Sequence, residues 1–214
     1  MSPWQRVLYR VVWLIIAGFS RVYWRLTVEG RQHIPVDEPF VLAPVHRSNI
    51  DFAIAATLTR RRLRYMGKDS LWKIKAFGAL WDALGAFPVR RGTADREALR
   101  RTIEVIEAGD PVVIFPEGTR QEGPIVQPLF EGAAYVATRT GVPIVPVGIG
   151  GTQKAMPRGS KMLRPAKVHV VIGPVLRPKP VEPGKRASRS SIHELTEQLL
   201  AELQTLFDKA QAGV

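Results

Sequence analysis

Apolar side chains crowd the start of the chain and then fall into short runs separated by amphipathic stretches. Residues Trp4–Leu26 form a long apolar segment broken by arginines. At about 100° per residue, Arg6, Arg10, Arg21 and Arg25 fall within one sector roughly 100° wide, a basic stripe on an otherwise apolar helix. Its longest uncharged apolar run, Val11–Phe19, is about half of the ~20 residues that a membrane span requires. Arginines follow that run and no small-residue cleavage site ends it, which argues against a secretory leader. Downstream, Phe40–Val45, Ala86–Val89, Val112–Phe115, Ile144–Val147 and Val168–Ile172 read as buried strands. Helical periodicity is clearest over Ala94–Ala108, where Leu99, Thr102, Ile103 and Ile106 share a face, Thr93 caps the start and Gly109 stops it. Further helices are read at Phe52–Leu58 and at Glu131–Thr140, which ends on Gly141. In the last helix, Ser191 and Glu194 make a capping box, and Ile192, Leu195, Leu199, Leu203 and Leu206 line one side. The Pro-, Lys- and Arg-rich stretch Arg177–Arg189 is a surface connection. Strands alternating with helices predict an α/β fold, with a single domain over 28–214 built on a mixed, mostly parallel central sheet flanked by helices. An amphipathic helix over 1–27 precedes it.

Composition narrows the chemistry. With 45% apolar and 23% charged residues the chain is an ordinary globular one, and the absence of cysteine excludes disulfides, thiolate catalysis and Cys-ligated metals. Thirty-one Lys and Arg against 19 Asp and Glu give a net charge of +12, which points to a phosphate-bearing partner. The basic stripe suits an anionic membrane surface, with apolar side chains in the acyl region and arginines among head groups. No nucleic-acid partner is expected, because the chain lacks a basic-aromatic strand signature. No metal site is expected either, since no second His, Cys or carboxylate cluster stands at ligand spacing.

Of four histidines, His46 has the most suggestive setting. It follows an apolar strand in the polar turn His46-Arg47-Ser48-Asn49-Ile50-Asp51, which leads into a short apolar helix. Ligands of open α/β sheets bind at such strand ends. Five residues apart on a regular helix, His46 and Asp51 would face different ways, but a turn followed by a helix start can bring the carboxylate onto the imidazole. That arrangement fixes the tautomer and leaves the second nitrogen as a base for a substrate hydroxyl. The same spacing also suits a helix-capping Asp51 beside a loop histidine. A second strand, Val112–Phe115, ends in Pro116-Glu117-Gly118-Thr119-Arg120, where Gly118 permits close backbone approach, Thr119 brings a hydroxyl and Arg120 a planar fork for phosphate oxygens. Gly85–Arg91 brings Arg90 and Arg91 to a third strand end. Ser48 beside His46 lacks the glycine-flanked elbow of hydrolase nucleophiles.

In this order, these segments resemble the phospholipid and glycerol acyltransferase family, in particular the bacterial 1-acylglycerol-3-phosphate acyltransferases. Residues 46–51 look like its His-x-x-x-x-Asp block and Phe115–Arg120 like its Phe-Pro-Glu-Gly-Thr-Arg block. Arg91 stands at the arginine position of its second block, and Val142–Val147 is similar to the proline-containing fourth. The family often has Asn before the histidine, where this chain has Val45, and a lysine where it has Phe130. The resemblance implies transfer of a fatty acyl group from acyl-CoA or acyl carrier protein to the free hydroxyl of 1-acylglycerol 3-phosphate, giving phosphatidic acid at the cytoplasmic face of the cell membrane. Acylation of glycerol 3-phosphate or another lysophospholipid is the neighbouring alternative. It implies His46 as base, Asp51 as its orienting partner, and Arg91, Glu117, Gly118, Thr119 and Arg120 at the acceptor phosphate, with Glu117 positioning Arg91 or Arg120 or capping a turn. No cofactor is implied beyond the acyl donor.

Overall fold

The computed structural model describes residues 2–89, 96–160, 162–180 and 187–214. Its strands are β1 (Thr27–Glu29), β2 (Val41–Pro44), β3 (Arg64–Lys68), β4 (Ala86–Val89), β5 (Val112–Val113), β6 (Ile144–Gly150) and β7 (His169–Ile172). They make one sheet in the order β1-β7-β6-β2-β5-β3-β4. Strands β6, β2, β5, β3 and β4 are mutually parallel, while β7 runs against β6 and pairs in parallel with β1. The sheet is the mixed, mostly parallel one that the alternating pattern predicts. Its centre is buried on both faces, every residue of β2 and of β6 being buried.

The helices are α1 (Pro3–Tyr23), α2 (Asp51–Ala56), α3 (Lys75–Ala83), α4 (Arg96–Glu107), α5 (Gly132–Thr140), α6 (Thr152–Ala155) and α7 (Arg189–Ala212). The crossovers through α2 and α3 run one way along the sheet and those through α4 and α5 the other, so right-handed connections put the two sets on opposite faces. Consistently, α1 packs with α2 and α3, whereas α4, α5 and α7 pack together. Helix α7 presses Leu199, Leu203 and Phe207 into the core and lies directly on β6. Glycine makes that approach possible: a Cβ at Gly148 would sit 2.3 Å from the Leu206 backbone, and one at Gly150 2.3 Å from the Ala210 carbonyl.

Several boundaries differ from the sequence reading. The last helix opens at Arg189, not Ser191: Ser188 is its cap, its Oγ accepting from the Ser191 N–H at 3.1 Å, and Glu194 turns outward to pair with Lys179. Strand β5 has two residues rather than four, although Ile114 N–H still donates to the Leu42 carbonyl at 3.0 Å before the chain turns away. Strands β1 and β3 are additional. Three residues abutting a helix, and the mixed Arg-Tyr-Met-Gly-Lys, carry no apolar run long enough to register. Thr93 and Arg91 lie outside the described residues, and the described helix there begins at Arg96. Among the described residues, no helix is long and apolar enough to cross a membrane.

Candidate active site

Neighbouring strands β2 and β5 send their connections in opposite directions, β2 through α2 to β3 and β5 through α5 to β6. The carboxyl ends of two such strands are the position at which doubly wound sheets bind ligands. The two polar turns singled out in the sequence, residues 46–51 and 115–120, meet there.

Residues 46–50 are not helical, and the chain folds around Asp51, the first residue of α2. Asp51 Oδ2 accepts from the Arg47 and Ser48 backbone N–H groups, each at 2.6 Å, and lies 3.0 Å from His46 Nδ1. Of the two alternatives left open by the spacing, helix capping is not what Asp51 does: the cap position of α2 is Ile50, which makes no side-chain cap hydrogen bond, and one Asp51 oxygen instead folds the preceding turn and pairs with the histidine. A carboxylate can only accept, so Nδ1 carries the proton and Nε2 is left with its lone pair. Asp51 is wholly buried, whereas the His46 side chain keeps 19% of its surface and stacks on Phe115, ring centroids 4.1 Å apart. Nε2 makes no hydrogen bond among the described residues. Ser48 is buried and its Oγ donates to the Met156 carbonyl at 2.8 Å, which commits that hydroxyl away from the imidazole.

The second turn is tied to the first through a buried ion pair. Glu117 and Arg47 are each 2% exposed, and Arg47 Nη1 lies 2.7 Å from both Glu117 carboxylate oxygens. Glu117 Oε1 also accepts from His46 N–H at 2.9 Å, and Gln121 N–H donates to the His46 carbonyl at 2.8 Å. The same guanidinium donates to the Ile125 carbonyl and sits 4.6 Å over the Phe207 ring of α7. Among the described residues, Glu117 therefore positions Arg47 and the His46 backbone, not Arg120. The physical reason is burial, since a carboxylate sealed in the interior requires a counter-charge sealed in with it.

Arg120 and Thr119 remain on the outer side of the turn, and Arg120 forms no ion pair among the described residues. Gly118 adopts a left-handed φ of +70°, and the space a Cβ would fill is taken by the Phe130 ring at 2.6 Å. Phe130, standing where the resemblance expects lysine, thus covers the turn with an apolar ring. Arg47 and Phe115 are the residues of this cluster that sequence reasoning missed. Arg47 reads as one more surface cation, and the only signal for it was a glutamate in the second turn with no use for an anion.

Over residues 25–150 the chain matches the Acyltransferase family. It belongs to that family. It is 30% identical over 154 residues to the chloroplastic 1-acyl-sn-glycerol-3-phosphate acyltransferase BAT2 of Brassica napus, covering 70% of this chain and 44% of that protein. With the 1-acyl-sn-glycerol-3-phosphate acyltransferase of Bacillus subtilis (strain 168) it shares 27% identity over 161 residues, 75% of each chain. The crystal structure of the 1-acyl-sn-glycerophosphate (LPA) acyltransferase PlsC from Thermotoga maritima superposes with a TM-score of 0.73 at 25% identity, over 96% of this chain and 83% of that one. The chain spans about half the length of the plant and algal relatives it matches. Both polar turns of this family member, residues 46–51 and 115–120, fall inside the matched region.

Proposed function

We propose that the chain is an O-acyltransferase that moves a fatty acyl group from acyl-CoA or acyl carrier protein to the free hydroxyl of 1-acylglycerol 3-phosphate, giving phosphatidic acid. The observation that carries this reading is the His46–Asp51 contact of 3.0 Å with Nε2 left unpaired beside the second turn. His46 Nε2 takes the acceptor hydroxyl proton as its oxygen attacks the thioester carbonyl carbon. The tetrahedral intermediate then collapses, the carbon–sulfur bond breaks, and the departing thiolate takes the proton back from the imidazolium. Asp51 holds the ring and stabilises its charged form. No acyl-enzyme forms in this scheme, and it uses no cofactor beyond the acyl donor.

The acceptor phosphate is assigned to Arg120, with the exposed Gly118–Thr119 turn next to it in sequence, and to Arg91. Arg91 enters on the family resemblance alone. Long-chain substrates partition into bilayers, and the basic stripe on α1 with its exposed apolar residues supports a peripheral position on a membrane surface, which we assign to the cytoplasmic face.

The test is thiol release from a long-chain acyl-CoA in the presence of 1-acylglycerol 3-phosphate, with glycerol 3-phosphate as a second acceptor. His46→Ala should lower the rate by at least the ~10²–10⁴-fold that positioned acid–base catalysis supplies. Equal thiol release by both proteins removes the proposed base, and turnover of glycerol 3-phosphate alone replaces the acceptor.

A further inference from the structure

Away from both polar turns, a groove of about 910 Å³ runs between α1, the carboxyl end of α2 and the start of β1. None of its lining residues belongs to 46–51 or 115–120. Arg21, Arg25, Arg31 and Arg60 converge on it, with Trp13 and Ala17 forming its α1 wall. Not one of the four guanidiniums forms an ion pair with a carboxylate among the described residues. Arg31 is spent in part on the Thr57 and Leu58 carbonyls that end α2, and burial, then the nearby Arg21 charge, push it below its ordinary value. Arg25 holds the left-handed φ of +43°, uncommon for a residue with a side chain and a frequent mark of a functional position. A smaller, mainly apolar groove of about 310 Å³ shares Trp13 and Arg60 with the first and adds Tyr9, Arg10 and Leu14, so apolar surface adjoins the arginines along one edge of α1.

The neighbouring face of α1 decides the kind of anion. On a helical wheel, Val7, Val11, Leu14, Ile15 and Val22 lie on the outward side next to that basic edge, and they are 47–80% exposed. A ligand for this surface carries negative charge at the arginines and hydrocarbon alongside α1. We infer that the groove is a head-group site for an anionic phospholipid of the bilayer, a second lipid site separate from the one in which acyl transfer is proposed. Its occupant tethers the protein with α1 lying in the interface, its apolar face among acyl chains.

The test is co-sedimentation of the full chain with phosphatidylcholine vesicles containing phosphatidylglycerol, whose anionic head groups attract basic segments. Arg21→Gln/Arg60→Gln removes two groove cations that make no hydrogen bond within the described residues, so folding, checked by thermal melting, is preserved. Binding should weaken about 30-fold, the equivalent of ~1 kcal/mol for each arginine near an anionic surface. The control Arg139→Gln/Arg158→Gln makes the same change in net charge elsewhere and should leave binding within about twofold, a shift of under half a kcal/mol. Equal weakening by both pairs means diffuse attraction without a site and overturns the proposal. Displacement from the vesicles by free CoA assigns the groove to a soluble phosphate instead and also overturns it. His46→Ala should bind like the unaltered chain, so this result stands or falls independently of the acyl-transfer reading.

Discussion

Replacing either member of the Arg47–Glu117 pair should unfold the site before it changes the chemistry. Both side chains are 2% exposed. In Glu117→Gln the guanidinium remains sealed in, with the His46 and Ile125 carbonyls and the Phe207 ring for company but no counter-charge. Breaking a buried pair from one side costs about 3–5 kcal/mol. The new amide keeps one acceptor oxygen for His46 N–H or Arg47, yet its NH₂ faces other donors, including the Gln127 N–H that Glu117 now accepts at 3.3 Å. We therefore expect the lower end, about 3 kcal/mol, which at about 2–4 °C per kcal/mol for a chain of this size lowers Tm by about 6–12 °C. Arg47→Met strands the carboxylate with two backbone donors and should cost a similar amount. Urea unfolding of both singles and the double variant gives the coupling directly, and the double should cost less than the sum by about 1–3 kcal/mol. Singles within about 0.5 kcal/mol of the unaltered protein, or strict additivity, would refute the claim that the two turns are held by this pair.

Three further outcomes follow from the same geometry. Ser48→Ala leaves the Met156 carbonyl without its donor and should destabilise by about 1–2 kcal/mol while acyl transfer persists; loss of transfer in a folded variant would restore Ser48 as a reacting group. Gly118→Ala imposes a side chain on a φ of +70° and on the Phe130 ring, so it should cost about 1–2 kcal/mol by thermal melting, with Gly118→Ala/Phe130→Ala recovering only the steric part. The hydrogen bond from Arg177 holds the Glu38 carboxyl below its ordinary range, so its stabilising contribution is present above that range and is lost as pH falls through the lowered value. Arg177→Gln should move the Glu38 titration, followed by NMR, back up toward the ordinary value; an unmoved midpoint contradicts the pairing.

Much of the fold was legible because burial writes itself into runs and periods. The four-residue apolar stretches at Ala86–Val89 and Ile144–Val147 became β4 and most of β6, and the face of Thr102 and Ile106 is the buried side of α4. Strands β1 and β3 were not legible. They form because β7 and β5 offer them partners, and pairing of this kind rests on backbone groups that any sequence carries. The site shows the same division. His46, Asp51 and the second turn were visible as polar residues at strand ends, whereas Arg47 was not, since nothing in a turn of polar residues says which cation is swallowed. Its burial depends on Glu117, 70 residues away in sequence, and on Phe207 in the last helix.

That hidden pair bears on how the proposed base is held. His46 is fixed on four sides: its N–H by Glu117, its carbonyl by Gln121 N–H, its Nδ1 by Asp51, and its ring face by Phe115. Three of the four restraints come from residues of the second turn or just after it, so the imidazole is anchored to the turn assigned to the acceptor phosphate as firmly as to its own strand. A base that must meet a hydroxyl at hydrogen-bond distance loses rate steeply with displacement, and holding both partners on one rigid unit removes that freedom in advance. The buried charge pair is suited to this role because its members cannot separate without stranding a charge in the core, whereas an exposed pair at the same place would exchange with water and hold little.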